Sequence, residues 1–303
     1  MRRGTLYGAA AYLLWGTFPL FFPLLKPAVP VEILVHRVAW TVLVCAVILT
    51  VVRGWRQVLA VVRSPRRLAL LAAASVFIAV NWGVYIYGVN SGQVVQTSLG
   101  YFVNPIVTVG LGVIVLRERL RPLQWTAIGI GVVAVVVLAV NYGGLPWIAL
   151  ALAFSFGFYG LAKNRIGRGV GALASLSVET ALLAPLAIAG IAWFELTGRG
   201  TFTDNAPGHP ALLVLTGLVT AVPLLFFAAA ARRVPLTTIG LLQYLAPVLQ
   251  FAIGVFVLSE PMPASRWFGF ALVWVALAVL TMDLLRTTRT RLRLARAAQA
   301  AAT

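Results

Sequence analysis

Residues 95–138 and 237–280 carry one pattern twice, 142 positions apart. At that offset Leu99 falls on Leu241, Pro105 on Pro247, Gly112 on Gly254, Glu118 on Glu260, Trp125 on Trp267 and Leu138 on Leu280. Pro, Glu and Trp are infrequent residues, so three ungapped coincidences are poorly explained by chance. The offset is close to half of the 303 residues, which extends the duplication to the whole chain. The fold must be assembled from two related halves.

The material of those halves is apolar. Hydrophobic residues make up 61% of the chain and charged ones 10%, against about 25% charged in a soluble domain. An all-α integral membrane protein is therefore expected. Apolar runs at 4–25, 31–52, 68–90, 94–116, 122–141, 145–162, 172–196, 211–231, 235–258 and 264–285 predict ten membrane helices. Each is near the roughly 20 residues that a bilayer core requires. Residues 1–142 form the first five-helix repeat, 143–286 the second, and 287–303 a basic cytoplasmic tail.

The net charge of +17 does not point to nucleic acid, because the basic residues sit between spans and not on one face of a soluble domain. With the N-terminus inside, the inner segments hold twenty of the 24 Lys and Arg residues. These are Arg2 and Arg3, five arginines from Arg53 to Arg67, Arg117 to Arg121, Lys163 to Arg168, Arg232 and Arg233, and five from Arg286 to Arg296. The positive-inside rule then puts both termini in the cytoplasm and the chain in the cytoplasmic membrane. Five spans per half is an odd number, so matched positions lie on opposite sides and the repeats are inverted. Arg117, Arg119 and Arg121 accordingly become Ser259, Pro261 and Pro263.

Two longer connections, 53–67 and 197–210, read as solvated loops, and the tail after Arg286 as a membrane-surface anchor. Gly129-Ile-Gly131-Val-Val-Ala134 matches a dinucleotide pattern but lies inside a span with no strand before it, so close helix packing explains it better. One cysteine, Cys45, and two histidines, His36 and His209, leave no material for a metal site. No cofactor is expected, and no nucleophile–base pair suggests an enzyme.

Candidate functional residues are the polar ones inside spans. Glu179 alone among the seven acidic residues lies well within a span, where a carboxylate is costly and should face a partner or a wet cavity. Arg37, beside His36, falls on Glu179 at the same offset, so a salt bridge across the repeat interface, a cavity-facing role without contact, and interfacial anchoring are all open. Thr97, Tyr101, Asn104 and Thr108 share one helix face. Tyr101 and Thr108 map onto Gln243 and Gln250, giving two hydrogen-bonding faces beside Pro105 and Pro247, where hinges or helix breaks are expected, as at Pro223. These faces read as walls of a central path, with helix-to-helix hydrogen bonding as the alternative. Asn81 and Tyr85, four apart in the third span, are further binding candidates.

The segments Ala11-Tyr12-x-x-Trp15-Gly16, Glu32-Ile-Leu-x-His36-Arg37-x-x-Trp40, Asn81-Trp82, Ser98-Leu99-Gly100-Tyr101-Phe102-x-Asn104-Pro105, Glu118-Arg119, Glu179-Thr180, Thr220-x-x-Pro223 and Gln243-Tyr244-x-x-Pro247 carry a resemblance over essentially the whole chain. It resembles the RarD group of EamA-type transporters in the drug/metabolite transporter superfamily. The resemblance implies ten helices in two inverted halves and a central cavity bordered by spans including three, four, eight and nine. It also implies export or exchange of small organic solutes, with a family label tied to chloramphenicol. The expected partners are the lipid bilayer, a small organic solute such as a metabolite or an amphenicol, and a proton or exchanged solute for coupling. Alternating access about a midplane site is the expected mechanism. A passive facilitator is the alternative.

Overall fold

The computed structural model describes residues 2–117, 119–141, 143–166, 169–203, 207–231 and 233–301. Glu118, Arg168, Asp204 and Arg232, placed in loops above, lie outside the described residues, as do the side chains of Arg2, Arg291, Arg293 and Arg296. Every regular element among the described residues is helical. Span one runs from Arg2 to Gly16 and continues through short turns, Phe18–Phe21 and Phe22–Leu25. Spans two to eight are Pro30–Val51, Pro65–Asn90, Val94–Leu116, Pro122–Asn141, Trp147–Ile166, Ala172–Leu196 and His209–Ala231. Span nine comes in pieces, Leu236–Leu242, Leu245–Ala252 and a wide turn Ile253–Val257, and span ten is Ala264–Ala301. Proline opens spans two, three and five, where its missing N–H costs nothing.

Nine of these helices are long and apolar enough to cross a bilayer. The tenth, span six, has 20 residues and ends in Lys163 and Arg165, which lower its hydropathy. It packs along spans three and four.

The packing partners reveal the architecture. Span one lies against eight, eight against two, two against seven, seven against three, three against six, six against four, four against nine, and nine against one. That sequence closes into a ring of eight helices. Spans five and ten pair with each other outside the ring, against span four. Exchanging each span for its counterpart five places on reproduces the same ring, so a pseudo-two-fold axis passes through the two-seven and four-nine contacts. Two inverted five-helix repeats build the molecule. The backbone carries the same symmetry: Arg117 (φ 56°) and Ser259 (φ 54°), 142 positions apart, both end their spans in the left-handed conformation.

Lipid tails are as apolar as leucine, so helices in a bilayer associate through close packing. Small residues permit it here. A Cβ on Gly217 would lie 2.6 Å from the Trp40 carbonyl carbon, and one on Gly100 2.8 Å from the Ala149 oxygen. Gly131 packs so closely on span four that a Cβ would meet Ile106 at 2.7 Å, whereas Gly129 faces open space.

Three expectations need correction, and the tail acquires a structure. The 53–67 connection is not simply solvated: Trp55–Val62 forms an amphipathic helix that buries Val61 against Leu71 and Val178. The 197–210 connection folds back onto the bundle, as described below. The tail continues span ten as helix to Ala301, since Arg and Ala are good helix formers and no Gly or Pro interrupts them. Spans four and eight run unbroken through Pro105 and Pro223, because one lost hydrogen bond is small against a helix of 23 residues. Span nine does break, at Gln243 and Tyr244. There the Pro247 ring faces the Gln243 carbonyl four residues back.

Candidate functional site

The ends of the bundle differ in charge. One end, here the basic end, gathers the loops after spans two, four, six, eight and ten. The other, the neutral end, holds the loops after the odd-numbered spans.

Arg37 lies one-third of the way down from the neutral end of span two and is 4% exposed. Its Nε donates to Thr220 Oγ1 of span eight at 2.8 Å. The guanidinium sits 4.2 Å from the Trp82 ring centroid in span three, with Phe18 and Phe22 of span one at 5.7 and 5.6 Å. Cation–π attraction of this kind offsets part of the cost of burying the charge. Neither Nη nitrogen makes a hydrogen bond or ion pair within the described residues.

Around it runs a polar lattice. Asn81 of span three donates to Leu152 O and Ser155 Oγ in span six, both at 3.1 Å, and accepts from the Tyr101 hydroxyl in span four at 3.2 Å. One buried amide thus ties three spans of the ring together. Tyr85 packs between Phe18, Phe22 and Tyr101, and its buried hydroxyl has no partner among the described residues. Spans one, two, three, four and eight all contribute.

Glu179 is fully buried, yet not alone. Lys163 Nζ lies 2.5 Å from Oε1, Ser175 Oγ donates to Oε1 at 2.9 Å and Tyr159 OH to Oε2 at 3.1 Å. From sequence Lys163 reads as part of a basic loop, because the apolar run ends at residue 162. The helix continues to Ile166, and this turns the lysine inward. Of the alternatives for Arg37 and Glu179, a direct ion pair is not formed. Each lies seven residues into its span, from opposite ends. At 1.5 Å per residue, a span about 33 Å long leaves them about 12 Å apart along the axis.

The polar face of span four divides. Tyr101 reaches Asn81; Thr97 is buried, but its hydroxyl turns back to Val94 O at 2.7 Å. Asn104 is half-buried and meets Thr108 at 3.4 Å, further toward the basic end. The matched face of span nine does not join this lattice. Gln250 donates to Trp15 O of span one at 3.1 Å, with its Oε1 left without a partner among the described residues, and Gln243 is half-buried at the helix break.

Two latches close the neutral end. Thr201 donates from its backbone N–H and its hydroxyl to Glu32 Oε1, at 2.5 and 2.9 Å, and meets His209 Nε2 at 2.8 Å. Phe202 stacks on His36 at 5.0 Å, while Trp40 donates to His36 Nδ1 at 3.3 Å. Thr201 and Phe202, in the described part of the connection after span seven, therefore fold onto the neutral-end starts of spans two and eight. Separately, Glu260 accepts from the backbone N–H groups of Val94 and Val95, at 2.5 and 2.8 Å, capping span four from the far repeat. Burial raises the Glu260 carboxyl above its ordinary range, against the downward pull of these two donors and Arg266. At the basic end Asp283 holds Arg121 through both carboxylate oxygens. The Glu260 latch was missed from sequence because matching Glu118 to Glu260 says nothing about which helix end a carboxylate meets.

A closed ring of inverted repeats around a buried polar centre defines a multi-pass membrane transporter. The EamA-like transporter family model matches residues 2–140 and again 144–282. The chain belongs to that family, within its RarD group and the drug/metabolite superfamily. It is 53% identical to a protein from Streptomyces exfoliatus called Protein RarD, over 98% of this chain and 94% of that one. It is 28% identical to the chloramphenicol-sensitive protein RarD of Pseudomonas aeruginosa, over 96% and 97%. A solved crystal structure with 21% sequence identity superposes with a TM-score of 0.59, covering 94% of this chain and 98% of the other. It shares the fold.

Proposed function

We propose that the chain is a secondary transporter carrying a small organic solute across the cytoplasmic membrane by alternating access. The observation that carries this reading is a buried cation with open hydrogen-bonding capacity at the centre of the ring, beneath a latched end. Charge inside a membrane is expensive and is retained where a solute or ion passes. The basic end faces the cytoplasm, with both termini there. Residues 1–142 and 143–286 rock about the pseudo-two-fold axis, and the neutral-end latches open as the basic end closes.

In this reading Arg37, Tyr85, Tyr101 and Asn81 form the solute site, His36 backs its lid, and Asn104 and Thr97 line the way from it. Gln250 and Gln243, with Pro247, supply the bending wall of span nine, while Pro105 and Pro223 provide points of flexure. Glu179 serves coupling: a proton or an exchanged solute that displaces Lys163 would alter the packing of spans six and seven. No step of this kind makes or breaks a covalent bond, so the chain is a carrier and not an enzyme. The name of the Pseudomonas relative makes an amphenicol one solute to test. Accumulation against a solute gradient in proteoliposomes, collapsed by an uncoupler or by removing the counter-solute, supports the carrier. Equilibration without accumulation under every gradient supports the passive facilitator.

A further inference from the structure

We infer that the centre of the ring selects a small organic anion, a monocarboxylate with an apolar or aromatic body, ahead of neutral or cationic solutes. The inference rests on the transporter reading and narrows it. Arg37 is 4% exposed and spends one of its donors on Thr220. Its two Nη nitrogens have no partner among the described residues. A guanidinium offers a planar fork that fits the two oxygens of a carboxylate. The Tyr85 hydroxyl, buried against the same aromatic cluster and without a partner among the described residues, supplies a further donor.

No described carboxylate neutralises this charge. Glu179 is held by Lys163, Glu32 by Thr201, Glu260 by Val94 and Val95, and Asp283 by Arg121. Glu195 accepts from Thr203. Glu32 Oε2 and Glu195 Oε1 keep open hydrogen-bonding capacity, but no described carboxylate pairs with Arg37, which is left to an anion brought in from outside. Trp82, Phe18 and Phe22 wall the site with ring faces, which favour an apolar body. An inside-negative membrane potential drives such a monoanion outward, by a factor of about fifty per 100 mV.

The test uses the full-length protein in detergent and in proteoliposomes. Matched probes of nearly equal shape are phenylacetate with phenylacetamide, and indole-3-acetate with indole-3-acetamide, together with phenethylamine. Binding is read by calorimetry and by tryptophan fluorescence, to which Trp82 should contribute. The expected result is that the anions bind about a hundredfold more tightly than the amides, as two charge-assisted hydrogen bonds allow. The preference should vanish in Arg37→Gln, persist in part in Arg37→Lys, and fall about fivefold in Tyr85→Phe, which removes an oxygen that no neighbour needs for folding. Equal binding of acids and amides by the wild type, or an undiminished preference in Arg37→Gln, overturns the inference. Transport of neutral solutes without anion binding also overturns it, and leaves the carrier reading standing. Arg37-dependent anion binding without translocation in proteoliposomes sinks the carrier reading and spares the anion site.

Discussion

Replacing Lys163 with methionine strips the ion-pair partner from the Glu179 carboxyl, whose side chain is 1% exposed, and leaves only Tyr159 and Ser175 to hold it. Breaking a wholly buried ion pair costs about 3–5 kcal/mol. The lysine side chain is 30% exposed, so solvent already screens part of the attraction, and two hydroxyl donors remain. About 2–3 kcal/mol is the expected loss for Lys163→Met. Glu179→Gln removes the other charge, and the double variant replaces the pair by neutral groups. The pair predicts that the double variant recovers about 2 kcal/mol relative to the sum of the single changes. Reversible unfolding in mixed micelles, followed by circular dichroism, supplies all three values. The charge swap Lys163→Glu with Glu179→Lys should also recover part of the loss. If the two single changes add to within about 0.5 kcal/mol, the buried pair is not what holds spans six and seven together.

Gly131→Ala forces a methyl group against Ile106 and should cost about 1–3 kcal/mol, whereas Gly129→Ala, facing open space, should gain a few tenths to about 1 kcal/mol from helix propensity; thermal shift of the purified variants checks both. Ser259→Gly relieves a left-handed residue (φ 54°) and should stabilise by about 1 kcal/mol, read by the same assay. Glu260 has a pH signature of definite sign. Its carboxyl is raised in the latched state, so that state binds a proton more readily than one with Glu260 free in water. Acidification therefore favours the latch, and the preference disappears as pH rises through the shifted value. Labelling of a cysteine placed at the neutral end, titrated with pH, should follow that course, and Glu260→Ala should abolish it.

Much of the fold was legible because a membrane reduces the problem to apolar lengths and loop charge. The 142-residue offset and the odd number of spans per half led to inversion, and the ring of packing partners carries the same symmetry. Sequence could not say which polar groups meet across the ring. Arg37 and Glu179 are related by symmetry, and inversion itself keeps them apart, since each sits at the same depth from opposite ends. Asn81, Tyr85 and Tyr101 stood out as polar residues in apolar surroundings and gather near Arg37. Thr220, Phe18 and Phe22 complete the site, but a threonine or phenylalanine in a membrane helix carries no distinguishing signal. Lys163 was hidden by a helix end misplaced by four residues, and the Thr201 latch by the general habit of polar loops to lie in water.

The central claim is that the interior of the ring is a solute path opened to one side at a time. Thr220→Cys, in a Cys45→Ser background, places one thiol beside Arg37. A membrane-impermeant thiol reagent should reach it from the basic end while the neutral-end latches hold, and from the neutral end once Glu260→Ala and Thr201→Ala release them. Reaction from neither face, or reaction from one face unaltered by the latch changes, would contradict the account.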